Sequence, residues 1–364
     1  MTKVERTGPT RRNVLTGAAA GALATLPGLR IAHSAPSTLD AITWGGPFIG
    51  ATKDASAGFS QADITWDLHS GGAGTVLSKI KAAWPEPRYD LVAAWNPIFI
   101  TMLNEGWLEP LTFEEVPNLR DVPDQFFYRD KDKQIVNAPF SLAGMFWAYR
   151  EDTAPVKITK IEQLLDPKLK GQICWSGPNV NSNLQILSLA VANGGDENNM
   201  EPGWAFLERL AKSGNIGRVA NNDTDLLNSM TTGETSIAFW NMSPFKTMSK
   251  DFKINILTRV PNEPGMKAFM YHDGWVLLRS SKNKQAAKDY INYFVRPDIN
   301  QRFNELIGQG PANTKSKADG FAMHVSFTPD ELKEYAYFPN FAVLAGLQDA
   351  SLARFQTGIL PLVR

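Results

Sequence analysis

The sequence predicts an α/β chain folded in two lobes, and three observations carry that prediction. Short apolar runs alternate with amphipathic segments along most of the chain, the pattern of strands feeding helices that cover a mostly parallel sheet. The apolar runs are bounded by Pro, Gly and Asn, which stop one element and turn the chain toward the next. About 330 residues follow an N-terminal leader, more than a single hydrophobic core normally serves.

Taken in order, LDAITW (39–44) reads as a strand and residues 48–59 as a helix. DITWDL (63–68) is a second strand. It runs into HSGGAGT, and VLSKIKAAW then begins a helix. DLVAAW (90–95) is a nearly continuous apolar strand between Pro87 and Asn96-Pro97. KGQICW (170–175) reads as a strand, with Asn181–Ser182 capping a helix over LQILSLAVA. In DTDLLNSMTTGETSIAFW (223–240), Asp223 or Thr224 supplies an N-cap, Gly233 a left-handed stop, and a strand follows. Residues 275–278 form another strand. Ala287, Tyr290, Ile291, Phe294 and Val295 then recur at the spacing of one buried helix face. Pro297 breaks that helix, and Asp298 opens the next through Phe303, Leu306 and Ile307.

The N-terminus has the layout of an export signal. Arg11–Arg12 precede a weakly apolar, Ala/Gly-rich run from Val14 to Leu29, and small residues follow at Ala32, Ser34 and Ala35. Paired arginines before Asn13-Val14-Leu15 predict a twin-arginine leader over residues 1–34, with cleavage after Ser34. The run is too short and too Ala/Gly-rich for a membrane span of ~20 apolar residues. The whole chain holds 37 basic and 37 acidic residues. Removing Lys3, Arg6, Arg11, Arg12 and Arg30 with Glu5 leaves 32 against 36, an acidic balance that argues against nucleic acid as a partner. Cys174 is the only cysteine, so the chain has no internal disulfide and no cysteine-based metal cluster. His33, His69, His272 and His324 form no HExxH run or i,i+4 pair, and no GxSxG elbow occurs. No metal, cofactor or catalytic residue is expected.

Five stretches, taken together in order and spacing, resemble one superfamily. They are ITWGG, YDLVAAWNPIFITMLNEGWLEPL, KITKIEQLLDPKLKGQI, MTTGETSIAFWN, and DGWVLLRSSKNKQAAKDYINYFVRPDINQRFNELIGQGPANTKS. The chain resembles a solute-binding protein of an ABC importer, in the type II periplasmic fold, and is most similar to the spermidine/putrescine-binding branch. That resemblance implies two lobes of mixed sheets flanked by helices and joined by hinge crossings. Lobe 1 would span 37–138 plus 274–312, and lobe 2 would span 140–270 plus 322–364. It also implies a periplasmic monomer that takes a small-molecule amine and delivers it to an inner-membrane ABC permease.

Ligands of open α/β sheets sit beyond the C-terminal ends of strands. Trp44, Trp95, Trp175 and Trp240 all fall at such ends, each followed by small or polar residues, among them Asn96 and Ser176. In YHDGWVLL (271–278), Tyr271 and Asp273 share one side of a strand by the period-two rule. By the resemblance, Tyr271-His272-Asp273 matches an aromatic–x–Asp ligand motif, and Trp44 and Trp240 match aromatic contacts. A lone buried carboxylate is costly unless a cation meets it, so the reading is of a guest ammonium walled by aromatic rings. CWSGPNVNSN (174–183) contains no acid where polyamine binders usually carry more, which predicts a guest with few positive charges or a zwitterion. The anionic end of a zwitterion would lie on a helix N-terminus at Gly177–Ser182 or Gly71–Thr75. Three alternatives stay open: a ferric-ion binder using Tyr335 and Tyr337, an anionic-solute binder of the same fold, and a cleft enzyme acting on a small amine.

Overall fold

A computed structural model describes residues 37–69, 73–318 and 320–363. The expected leader, and residues 70–72 of the glycine-rich turn, lie outside that range.

The first part of the chain alternates strand and helix: β1 (Ser37–Trp44), α1 (Pro47–Ser56), β2 (Ala62–His69), α2 (Ala73–Ala83), β3 (Leu91–Trp95) and α3 (Asn96–Asn104). A 13-residue strand, β4 (Ala138–Arg150), then leads into β5 (Ile173–Ser176), α4 (Leu184–Ala192), α5 (Glu201–Ser213) and β6 (Ile216–Ala220). Next come α6 (Asp223–Thr232), β7 (Ile237–Asn241), α7 (Met242–Met248) and β8 (Ile254–Ile256). The chain returns through β9 (Ala268–Leu277), α8 (Lys284–Phe294), α9 (Pro297–Ile307) and β10 (Gly310–Pro311). It ends with α10 (Pro329–Tyr335), β11 (Ala336–Tyr337) and α11 (Phe341–Arg354).

The strands are ordered β2-β1-β3-β9-β4-β7-β5-β6. At either end the pairs are parallel: β2–β1–β3 on one side, β7–β5–β6 on the other. Between them, β4 and β9 run antiparallel to each other, β9 pairs with β3, and β4 pairs with β7. These two long strands therefore belong to both halves and carry the chain from one lobe to the other. The ladder is irregular at their crossing, where Ala138 and Pro139 pair with Trp275 and Gly274, Phe140 is extra, and Ser141 pairs with Asp273. A bulge of this kind bends and twists the strand that carries it. Gly274 is required there by close approach, because a Cβ would come within 2.7 Å of the Ala138 carbonyl oxygen.

One apolar core lies under the β1–β3 half, built from Leu39, Phe48, Leu91, Phe140, Trp275, Tyr290, Phe294 and Phe303. Burying each of the larger side chains contributes roughly 2–3 kcal/mol against conformational entropy. A second cluster fills the β4–β7 half and includes Phe146, Trp147, Trp175, Phe239 and Phe245. The C-terminal segment touches elements on both sides. Phe341 of α11 packs on Trp95, Gln348 donates to the Pro178 carbonyl, and Arg354 pairs with Glu201.

Several elements differ from expectation. Strand β4, helix α5 and strand β6 were not foreseen, and residues 275–278 are only the end of the longer β9. β4 is buried along nearly its whole length, so it shows no polar alternation to mark it as a strand. The N-cap of α6 is Asn222, which accepts from the Asp225 amide, and not Asp223 or Thr224. Helix α4 covers LQILSLAVA as expected, but its N-cap is Asn183 and not Asn181–Ser182, and Ser182 and Asn183 both have positive φ. Gly233 does end α6 in the left-handed region, at φ 78°. Tyr335 closes α10, but Tyr337 lies in β11 and donates its hydroxyl to Glu197.

Candidate functional site

A cavity of about 450 Å³ opens where the ends of β1, β2, β3 and β7 meet the start of α6 and the middle of β9. Alternation along β9 sets its floor. Tyr271 and Asp273 face the cavity, whereas His272 turns to the opposite side, among Phe99, Phe126 and Tyr128. There Asn96 and Asn137 bond its ring nitrogens, and burial pushes its pKa down to about 3, so the ring is neutral. Trp95 pairs directly with Asp273 across β3–β9, and its ring meets Tyr271 edge-on at 5.3 Å. Trp44 lines the opposite wall from the end of β1, with its ring edge-on to Phe48 at 4.7 Å.

Asp273 is 4% exposed, and among the described residues no lysine or arginine pairs with it. Burial pushes its pKa up to about 8, with a hydrogen bond from Gln309 pulling the other way. The Tyr271 hydroxyl is held well above the usual phenol range by burial first, then by the charges of Asp273 and Asp223. Two acids that both act on one phenol share its neighbourhood.

Asp223 is the residue that sequence reasoning missed. It stands in the first turn of α6, opens onto the cavity, and is otherwise enclosed tightly enough that burial raises its pKa. Two hydrogen bonds pull against that shift, from Trp240 Nε1 at 2.7 Å and Asn241 Nδ2 at 3.2 Å. Both land on Oδ1, so the other oxygen accepts nothing from the described residues. Asp225, one helical turn away from the cap, also lines the cavity. The expectation of a single facing acid is thus corrected: the additional carboxylates come from α6, not from residues 174–183. Gln309 adds another acceptor, because its Oε1 is buried without a partner among the described residues.

Four residues singled out from sequence do not line the cavity. Trp175 is fully buried in the core beside Trp147, because β5 is covered on both faces. Ser176 is tied to Gln185 and Asn181. Asn96 supports the buried His272. Trp240 is 2% exposed and reaches the cavity only through its bond to Asp223, so it orients an acid and does not wall a guest. Trp44, Trp95, Tyr271 and Asp273 all line the cavity. Val180 is the contribution of the 174–183 stretch.

Among the described residues, no lysine or arginine lines the cavity. Among the described residues no group of three or more His, Cys, Asp or Glu side chains is placed to hold a metal ion.

Comparison with known proteins agrees with this architecture. Residues 57–335 match the family of bacterial extracellular solute-binding proteins. The chain is 22% identical over 252 residues to the spermidine/putrescine-binding periplasmic protein of Escherichia coli K12, covering 67% of this chain and 68% of that one. The periplasmic binding protein AgtB of A. tumefaciens R10, solved with agropinic acid, superposes with a TM-score of 0.68 at 18% identity, over 90% of this chain and all of that one. The periplasmic binding protein AfuA of Actinobacillus pleuropneumoniae, solved with fructose-6-phosphate, gives 0.69 at 15% identity, over 90% and 99%. The chain therefore belongs to the bacterial extracellular solute-binding proteins, the solute-capturing components of ABC importers, and is similar to spermidine/putrescine-binding members among them.

Proposed function

We propose that this chain captures a small aminated solute in the periplasm and hands it to an ABC permease, after export by a twin-arginine leader. The observation that carries the reading is Asp273, a buried carboxylate with no cationic partner among the described residues. An isolated buried charge is unfavourable, and a guest ammonium restores the missing half of the pair. Trp44, Trp95 and Tyr271 add π faces, each worth roughly 0.5–2 kcal/mol to a desolvated cation. Asp223 and Asp225 give a second ammonium somewhere to go, which favours a diamine or polyamine over a monoamine.

The alternatives fit the chemistry less well. An anionic guest, such as the agropinic acid or fructose-6-phosphate of the two solved complexes, would meet three carboxylates and, among the described residues, no lysine or arginine. A zwitterion would bring a carboxylate beside Asp223, Asp225 and Asp273, and of the two helix starts expected to receive it, Gly177–Ser182 contributes only Val180 to the cavity and the other includes residues outside the described range. A ferric site on Tyr335 and Tyr337 would require Tyr337 to leave Glu197. Capture itself needs no bond chemistry. Rotation of the halves about β4 and β9 would expel water and strengthen every charge interaction inside.

The test is a thermal-shift panel at pH 8 with putrescine, spermidine, a γ-amino acid, fructose-6-phosphate and ferric citrate. Putrescine or spermidine at 100 times its dissociation constant should add ~2.7 kcal/mol to folding stability and be recovered unaltered. Stabilisation by the anions alone, or chemical conversion of the amine, would overturn the reading.

A further inference from the structure

We propose that Lys246, outside the cavity, is a positioning residue for it: Lys246 clamps α7 to the C-terminal end of α9 and so holds Gln309 against Asp273. The two helices belong to different halves. α7 follows β7 and stacks Phe245 on Phe146, with ring centroids 5.8 Å apart. α9 packs on α1, through Phe303 against Phe48 at 5.2 Å and Arg302 to Asp54 at 2.9 Å.

At the end of α9 the carbonyls need donors from outside the helix. The Asn304 carbonyl accepts from both Gly308 N and Gln309 N, at 2.7 and 3.1 Å. The Glu305 carbonyl accepts from the Lys246 ammonium. A cation at that position also complements the negative end of the helix dipole. The lysine stem lies flat on Gly308, where φ is 79° and an added Cβ would come within 2.4 Å of the Lys246 Cδ. The glycine is therefore needed both for its left-handed backbone and for the space the stem occupies.

The next residue is Gln309, whose side chain lines the cavity together with Asp273 and Tyr271. Gly310 then pairs with Leu142 of β4, and Asn304 reaches the bulge itself, donating to the Phe140 carbonyl at 2.8 Å. Lys246 thus closes a bracket around one turn, residues 305–310, whose inner side presents Gln309 to the cavity that Asp273 also lines.

The test uses ligand-free protein, so that it stands apart from the amine reading on which the role of Asp273 rests. Lys246→Met keeps the stem and removes the ammonium, and Lys246→Arg restores a donor. In Lys246→Met, hydrogen–deuterium exchange of residues 305–312 should accelerate about tenfold, the equivalent of ~1.4 kcal/mol. The Asp273 carboxyl, followed by carbon-13 NMR, should titrate at higher pH than in the parent. Lys246→Arg should match the parent in both. Lys246→Leu, which shortens the stem and carries no donor, should repeat the expected Lys246→Met result if that variant folds poorly. Unchanged exchange, an unmoved titration, or equal effects in Lys246→Arg would overturn the proposal. A parent protein that binds no amine would sink the functional reading and leave these two measurements to judge Lys246.

Discussion

Replacing Asp273 by Asn separates the cost of its charge from every other property of the side chain. In the folded, ligand-free protein its pKa is pushed from 3.8 up to about 8, so the folded state holds a proton that the unfolded chain releases. Stability due to this group therefore falls as pH rises from about 4 to about 8. A shift of that size sets a ceiling of roughly 6 kcal/mol. With the higher effective dielectric of a cavity that opens to water, about half of that is expected. Urea unfolding at pH 5 and pH 9 is the assay. At pH 5 the parent carboxyl is already neutral, and Asp273→Asn should match it within about 1 kcal/mol. At pH 9 the variant should be more stable than the parent by ~3 kcal/mol, while its affinity for an amine drops by roughly 2–5 kcal/mol. An equal offset at both pH values, or a loss of stability at pH 9, would refute the claim that Asp273 is buried without a counter-ion.

Three further outcomes follow from the packing. Trp240→Phe keeps an aromatic ring in the core but deletes the donor to Asp223, so titration calorimetry with putrescine should show about tenfold weaker binding, a lost hydrogen bond to a charged group. Trp175→Phe, in a position without cavity contact, should bind putrescine like the parent; the reverse ranking would show that the site is misassigned. Gly274→Ala drives a Cβ against the Ala138 carbonyl at the bulge and should cost roughly 2–4 kcal/mol in denaturant melts, and a neutral result would mean that the crossing is not tightly packed.

What could be read from sequence depended on how much of each element faces something polar. The strand ends carrying Trp44 and Trp95 stood out because an aromatic residue is followed at once by Gly45-Gly46 or Asn96-Pro97, and both line the cavity. Tyr271 and Asp273 followed from the two-residue period, which also turned His272 away. The same rule misled at β5 and β7. Both strands are covered on each face, so nothing in ICWS or IAFWN distinguishes a ring aimed at solvent from one aimed at core. Asp223 was hidden for a different reason. An Asp before a helical run reads as a cap, and only the three-dimensional placement of Asn222 in that role frees Asp223 to face the cavity. β4 was unreadable as a strand because its residues bury both faces.

The account stands or falls on whether a guest cation replaces a proton on Asp273. Isothermal titration of putrescine at pH 7, in two buffers of different ionisation enthalpy, measures that exchange directly. Displacement from a carboxyl that titrates near pH 8 predicts release of about one proton per putrescine bound, shrinking toward zero at pH 9. Tight binding with no proton release at pH 7, or no binding of the diamine while an anion binds, would contradict it.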